Sequence, residues 1–190
     1  MPLSDTDIIA QILAGAKPRF ALLVGRYQDQ SMTLAVRMLR NREEAEEAVQ
    51  DAFIRAYNAL ERFEGSARFS TWLYRIVYNV CLTRLARARS SADRLEYDDE
   101  QGYGEQGGAG APLDAVEGED FSRFIRKSIE ALPAKYATML SLFYLQDLTH
   151  EEICKVTDLP LGTVKTHLFR ARALLQRELQ TELQPKKVTA

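Results

Sequence analysis

Residues 41–81 read NREEAEEAVQDAFIRAYNALERFEGSARFSTWLYRIVYNVC, and the periodicity of this stretch decides the fold class. Ala45, Val49, Ala52, Ala56 and Leu60 recur at steps of four, three, four and four. That spacing places them on one face of a helix. Asn41 and Glu44 have the spacing of a capping box, so the helix is predicted to open there and run to about Arg62. Gly65 interrupts it, and a further helix is predicted to carry Trp72 through Arg89. Upstream, Asp5 to Ala14 reads as a short first helix. A second runs from about Pro18 to Arg40, with Phe20, Leu23, Val24, Tyr27, Met32, Leu34 and Met38 as its apolar residues. Residues 1–92 are thus expected to form a small domain of four helices.

A change of composition ends that domain. Six of the ten glycines fall between Gly102 and Gly118, among acidic residues and almost no branched apolar ones. Such a segment buries too little surface to offset its ordering entropy. Residues 93–118 are therefore expected to be a flexible acidic linker. A coil of ~25 residues spans about 25–30 Å on average and roughly 80 Å when stretched, so the flanking domains could sit well apart on a shared partner. The formal net charge of −2 conceals a pattern, being +2 over residues 1–93, −6 over 94–118 and +2 over 119–190. Within the first block Glu43, Glu44, Glu46, Glu47 and Asp51 are followed by Arg68, Arg75, Arg84, Arg87 and Arg89 with no acid between these arginines.

Residues 119–184 read as a second helical domain. Phe121–Ala131 and Ala134–Leu145 are predicted helices, and LTHEEICKVTDLPLGTVKTHLFRARALL, residues 148–175, has the form of a helix-turn-helix. Thr149 and Glu152 have capping-box spacing and open a helix from His150 to about Val156. Pro160 suits the first position of the next helix. On it Leu161, Val164, Leu168, Ala171 and Leu175 share an inward face. The opposite face presents Thr163, Lys165, Thr166, His167, Arg170 and Arg172. Short hydroxyl and long cationic side chains of this kind suit the major groove and its phosphates. The bland alternative for the pair of helices by itself is an amphipathic unit with a solvated charged face, and DNA binding is the favoured reading. The string LGTVKTHL resembles both the −35-reading domain of sigma factors and the output domain of LuxR-type regulators, which bind duplex DNA without acting as sigma factors.

The first domain separates these two families. The stretch from Asn41 to Cys81, with its FxGxxxFxTWLYRI segment, resembles the second conserved region of sigma factors of the extracytoplasmic-function (ECF) group of the sigma-70 family. LuxR-type regulators carry no such segment. The resemblance covers nearly the whole chain: first domain, variable linker, and ALPAKYATMLSLFYLQDLTHEEI ahead of the LGTVKTHLFRAR string. It implies an all-α fold of two domains and a non-enzymatic factor that lends core RNA polymerase its promoter specificity. It also implies partners: the β and β′ polymerase subunits, promoter DNA and an anti-sigma factor, with no small-molecule substrate and a monomer when free.

The resemblance also distributes roles. Glu47, Gln50, Asp51, Ile54 and Tyr57 match the surface that docks on the polymerase; by charge alone this face would be an ordinary solvated one. Phe63, Arg68, Phe69, Trp72, Arg75 and Asn79 match the stretch that handles the −10 element, where flipped bases are held against aromatic and polar side chains. Packing in the core is the simpler reading for Phe63 and Phe69, and an equal one for Trp72. Thr163, Lys165, Thr166, His167, Arg170 and Arg172 match the −35-reading helix. Glu64 and Ala67 depart from the family loop, which often has a basic residue and a serine there, so the −10 preference need not be typical of the group.

Other chemistries find little support. His150 and His167 are the only histidines, too few for a di-metal bundle. His150-Glu151-Glu152-Ile153-Cys154 misses HExxH by its last residue and reads as a helix start with a buried Cys154. No cofactor is expected. Cys81 and Cys154 lack CxxC spacing, no signal peptide is evident, and no run approaches the roughly 18 apolar residues of a membrane span, so a cytoplasmic protein with reduced core thiols is expected. Replacing Lys165 with alanine should weaken promoter binding and lower the slope of log affinity against log salt by about one unit. Titrations across a salt series measure this; an unchanged slope would remove Lys165 from the phosphate contacts.

Overall fold

The computed structural model describes residues 3–91, 127–129 and 131–183. Helix α1 (Asp5–Leu13) leads through a 3-10 turn at Lys17–Arg19 into α2 (Phe20–Leu39). Helix α3 (Arg42–Ala59) ends in a 3-10 extension, Leu60–Arg62, and α4 (Phe69–Ser91) completes the first cluster. The second holds α5 (Ala134–Leu140), a π-helical turn at Ser141–Leu145, α6 (His150–Thr157) and α7 (Leu161–Leu183). All regular structure among the described residues is helical, so the architecture is the all-α one expected. The predicted linker, 93–118, and most of the predicted helix Phe121–Ala131 lie outside the described residues.

Local chemistry sets these boundaries. Ser4 caps α1 through a reciprocal box with Asp7, and Asn41 Oδ1 accepts from the Glu44 N–H at 3.2 Å to open α3. The predicted box at Thr149 and Glu152 is complete, with bonds of 3.2 and 3.0 Å. Helices α2 and α6 end on left-handed residues, Arg40 and Asp158. An aspartate tolerates that conformation better than most side chains. Pro160 sits one position earlier than expected, just before α7. Its carbonyl accepts the first helical bond, from Val164 at 3.0 Å, where a missing N–H costs nothing.

The first cluster packs around α3. Ala45, Ala48, Ala52 and Ala56 are fully buried there, and α2 and α4 both pack against α3. Small side chains at three- and four-residue spacing let the flanking helix backbones approach closely. Large apolar residues then fill the remaining volume, with Leu23, Leu34, Leu60, Leu73 and Val77 essentially inaccessible. In the second cluster Val164, Leu168, Ala171 and Leu175 face inward as predicted. Leu161 does not; it is exposed, because it opens α7 a full turn ahead of where the helix meets its neighbours. Cys81 is buried and its thiol is pushed up to about 12 by burial. Cys154, expected to be buried, is only half-buried on α6, and both thiols are free.

The two clusters lie against each other, although the linker length would have let them stand apart. Helix α6 packs on α4, and α5 on α2. Glu152 accepts from Arg68 Nε at 2.6 Å and Nη2 at 2.5 Å, and from Thr71 Oγ1 at 3.0 Å. One residue past α6, the Asp158 carboxylate accepts from Arg75 Nη2 at 2.8 and 2.9 Å. Gln146 Nε2 donates to the Gln30 carbonyl at 3.2 Å, and Arg40 donates to the Leu132 carbonyl. The hydrogen bond from Arg68, helped by those from Thr149 and Thr71, holds the Glu152 carboxyl at about 2 despite its burial.

Two outcomes follow from this packing. Ala52→Leu adds volume where the α3 face has none to spare, and should cost about 1–3 kcal/mol, read as a lower urea midpoint. Glu152 is depressed in the folded protein, so its contribution is complete above the ordinary carboxylate value of 4.5 and is lost as pH falls toward about 2. Thermal melts of wild type and Glu152→Gln should therefore differ at neutral pH and converge across that acid window. Curves that keep a constant separation to pH 2 would remove the ionised Glu152 from the stabilising contacts.

Candidate functional site

A solvent-open apolar groove runs between α2 and α3. Phe20, Val24 and Met32 wall one side; Val49, Phe53, Ile54 and Tyr57 wall the other, enclosing about 570 Å³. The rings of Phe53 and Tyr57 meet Phe20 edge-on, with centroids 6.4 and 5.1 Å apart. Ile54 is 54% exposed, an uncommon position for a β-branched apolar side chain in the middle of a helix. Of the five residues assigned to polymerase docking, Gln50, Ile54 and Tyr57 line this groove. Glu47 instead pairs with Arg84 of α4 at 2.9 Å, and Asp51 pairs with Arg55 one turn on. The α2 wall was missed by sequence reasoning. Its i, i+4 apolar spacing was legible, but not that α3 would leave it open.

The segment assigned to the −10 element divides by burial. Phe69 is buried, and Phe63 and Trp72 are half-buried, forming a three-ring cluster with centroid separations of 5.2–5.7 Å. Phe69 also meets Tyr27 at 5.5 Å. Packing therefore claims Phe69, while Trp72 stays partly exposed. Gly65, at φ +70°, turns the intervening loop in a conformation that an L side chain rarely adopts. Arg68, Arg75 and Asn79 all keep solvent contact. The two arginines spend their charge on Glu152 and Asp158, partners that no sequence signal pointed to.

On α7, Lys165 and Thr166 are exposed and Thr163 is half-buried. Thr166 Oγ1 donates back to the Gly162 carbonyl at 2.8 Å. Arg170 is half-buried. His167 is turned partly inward, its ring meeting Tyr136 edge-on at 6.1 Å. Burial, with Lys135 and Arg170 nearby, lowers its basicity below the ordinary imidazole range. Arg172 lies over the rings of Phe143 and Tyr144, 5.1 and 5.6 Å from their centroids, and its Nε donates to Tyr144 Oη at 2.9 Å. The His150 ring lies tilted by 38° against Phe143, with centroids 5.1 Å apart. Among the described residues, no three His, Cys, Asp or Glu side chains gather into a group that could hold a metal ion.

Comparison with known proteins places the two clusters in a family. Residues 23–91 match the family model for Sigma-70 region 2, and residues 124–175 match that for Sigma-70, region 4. The ECF RNA polymerase sigma factor SigW of Bacillus subtilis is 36% identical over 181 residues, covering 90% of this chain and 95% of that protein. The ECF RNA polymerase sigma-E factor of Escherichia coli strain K12 is 33% identical over 183 residues, covering 94% and 95%. The fold is similar to that of CnrH solved with the cytosolic domain of CnrY, with TM-score 0.60 and 21% identity over 92% of this chain and 96% of that one. It is also similar to the sigma factor RpoE of Bartonella quintana solved with the anti-sigma factor NepR, with TM-score 0.61 and 20% identity over 86% and 98%. The helix-turn-helix string alone left LuxR-type regulators open; a match that takes in the first cluster as well closes that alternative. The chain belongs to the ECF sigma factors of the sigma-70 family, which bind core RNA polymerase and direct it to promoters.

Proposed function

We propose a division of labour in which each cluster supplies one end of promoter recognition and the α2–α3 groove supplies the hold on polymerase. The open groove with Ile54 at its lip is the observation that carries this reading. A permanently wetted apolar cleft is a cost to an isolated chain, and an apolar helix face of the β′ subunit would cover it. Gln50 and Tyr57 add polar atoms at the rim, and Glu47 and Asp51 lie alongside as charges that steer the approach of a basic partner.

For DNA, Arg68, Arg75 and Asn79 supply donors to the unwound −10 strand, with the Trp72 edge as a stacking surface above the Phe63–Phe69 support. Lys165, Thr166 and Thr163 on the first turns of α7 read the −35 groove, and Arg170 and Arg172 reach its phosphates from further along. His167, half-turned toward Tyr136, contributes more to holding α7 than to reading bases. Residues 1–92 and 119–184 would then be the two recognition domains, and 93–118 the tether that sets their reach. The free protein is a monomer of the cytoplasm; no described helix is long and apolar enough to cross a membrane. An anti-sigma factor is its regulator, a partner of the kind crystallised with the Bartonella sigma factor.

Run-off transcription with purified core polymerase on fragmented host DNA tests the whole reading, with transcript 5′ ends sequenced. New starts sharing two spaced upstream motifs are expected with the wild-type protein. Ile54→Asp, at an exposed position, should leave the fold intact and reduce core-dependent transcription by about tenfold or more. Undiminished transcription from that variant would move polymerase docking away from the groove.

A further inference from the structure

We infer that Tyr144 and Arg172 together form one phosphate-binding site for promoter DNA, Tyr144 being a contact that lies outside the −35-reading helix. The inference rests on the reading above that α7 enters the −35 groove. Arg172 Nε donates to Tyr144 Oη at 2.9 Å. That bond occupies a lone pair of the phenol and leaves its hydrogen to be donated elsewhere. Among the described residues it meets no acceptor. Arg172 has no carboxylate partner among the described residues, whereas Arg26, Arg68, Arg75 and Arg84 each pair with one. A guanidinium without an anion and a hydroxyl without an acceptor thus stand side by side. A phosphate supplies both needs, with anionic oxygens for the Nη donors and for the phenolic O–H.

The guanidinium is held in place before any DNA arrives. It lies over the rings of Phe143 and Tyr144, 5.1 and 5.6 Å from their centroids, where the ring faces attract a cation. The Phe143 ring meets Tyr144 edge-on at 4.9 Å and is backed by His150 at 5.1 Å. The histidine that heads the incomplete HExxH string is therefore part of the support beneath the arginine. Both rings come from the π-helical turn Ser141–Leu145, closed by the Gln146 N–H donating to the Ser141 carbonyl at 3.0 Å. Such turns are frequent at functional sites, and this one brings two neighbouring side chains onto one arginine. Fixing a long side chain in advance removes part of the ordering cost of binding. Arg172 follows Lys165 by about two helical turns, so it shares the face of that exposed lysine. Tyr144 is itself exposed, within reach of a strand lying along that face.

The test uses the full chain reconstituted with core polymerase, on a labelled promoter fragment recovered from the run-off starts. Fluorescence anisotropy across a salt series reads the affinity of wild type, Tyr144→Phe, Arg172→Ala and the two changes together. Phenylalanine keeps the ring beneath the guanidinium and removes only the hydroxyl, so helix content by circular dichroism and the melting temperature should match wild type. Tyr144→Phe is expected to weaken binding about fivefold. Arg172→Ala is expected to weaken it by about tenfold or more and to lower the slope of log affinity against log salt by about 0.9. The double variant should lose less than the product of the two single losses, as groups that act on one phosphate are coupled. Full affinity in Tyr144→Phe would overturn the inference, as would single losses that simply multiply or an unchanged salt slope in Arg172→Ala. Lys165→Ala, measured alongside, tests the underlying reading separately. A lower slope there with Tyr144→Phe silent leaves α7 in the groove and removes Tyr144 from the phosphate. Unchanged binding in all of these variants would move −35 recognition away from α7 altogether.

Discussion

Helix α4 has to satisfy two sets of neighbours at once, and the rest of the molecule is arranged around that requirement. Its Leu73, Val77, Val80 and Cys81 are buried in a bundle where α4 packs against both α2 and α3. The alanines of α3 make the bundle side possible, because larger residues there would push α2 and α4 outward. Helix α6 then lies against another side of α4, where the contacts are charged. The same region thus carries an apolar edge that stabilises the fold and a cationic edge that meets Glu152 and Asp158. Arg68, one residue ahead of α4, and Arg75 stand seven residues apart, about two helical turns, which puts both on that cationic edge.

The chain leaves two surfaces of different character unfinished. The groove between α2 and α3 is apolar, lined by aromatic and branched side chains, and gains from any partner that removes it from water. The α4–α6 face is polar and ionic, with Arg68 and Arg75 paired to Glu152 and Asp158. Apolar burial is nearly insensitive to salt, whereas guanidinium–anion contacts are graded by it.

Much of the fold was legible from local chemistry. The α3 face followed from apolar spacing, although Ala48 and Phe53 joined it only in the structure, where α2 and α4 flank the helix more widely than a single stripe implies. The capping residues Asn41 and Thr149 marked helix starts because a side-chain acceptor three residues before a free N–H is a local event. Leu161 and Cys154 went the other way. Period assigned Leu161 inward, but burial at a helix end depends on whether a neighbour extends that far; Cys154, expected to be a core thiol, lies mid-helix and is only half-buried. The strip assigned to polymerase docking divides in the structure: Gln50, Ile54 and Tyr57 line the groove, while Glu47 and Asp51 pair with nearby arginines.

The sequence by itself determined the helices, the two clusters, the aromatic segment after Gly65 and the family, because each depends on residues within a few turns of one another or on motifs in fixed order. Only the tertiary structure decided which faces remained open and which were spent on each other. The pairing of Arg68 with Glu152 spans 84 positions, and that of Arg75 with Asp158 spans 83. No periodicity couples residues so distant. An arginine on a helix face is attracted to any anion within reach, and which one it meets is set by how the two clusters come to rest.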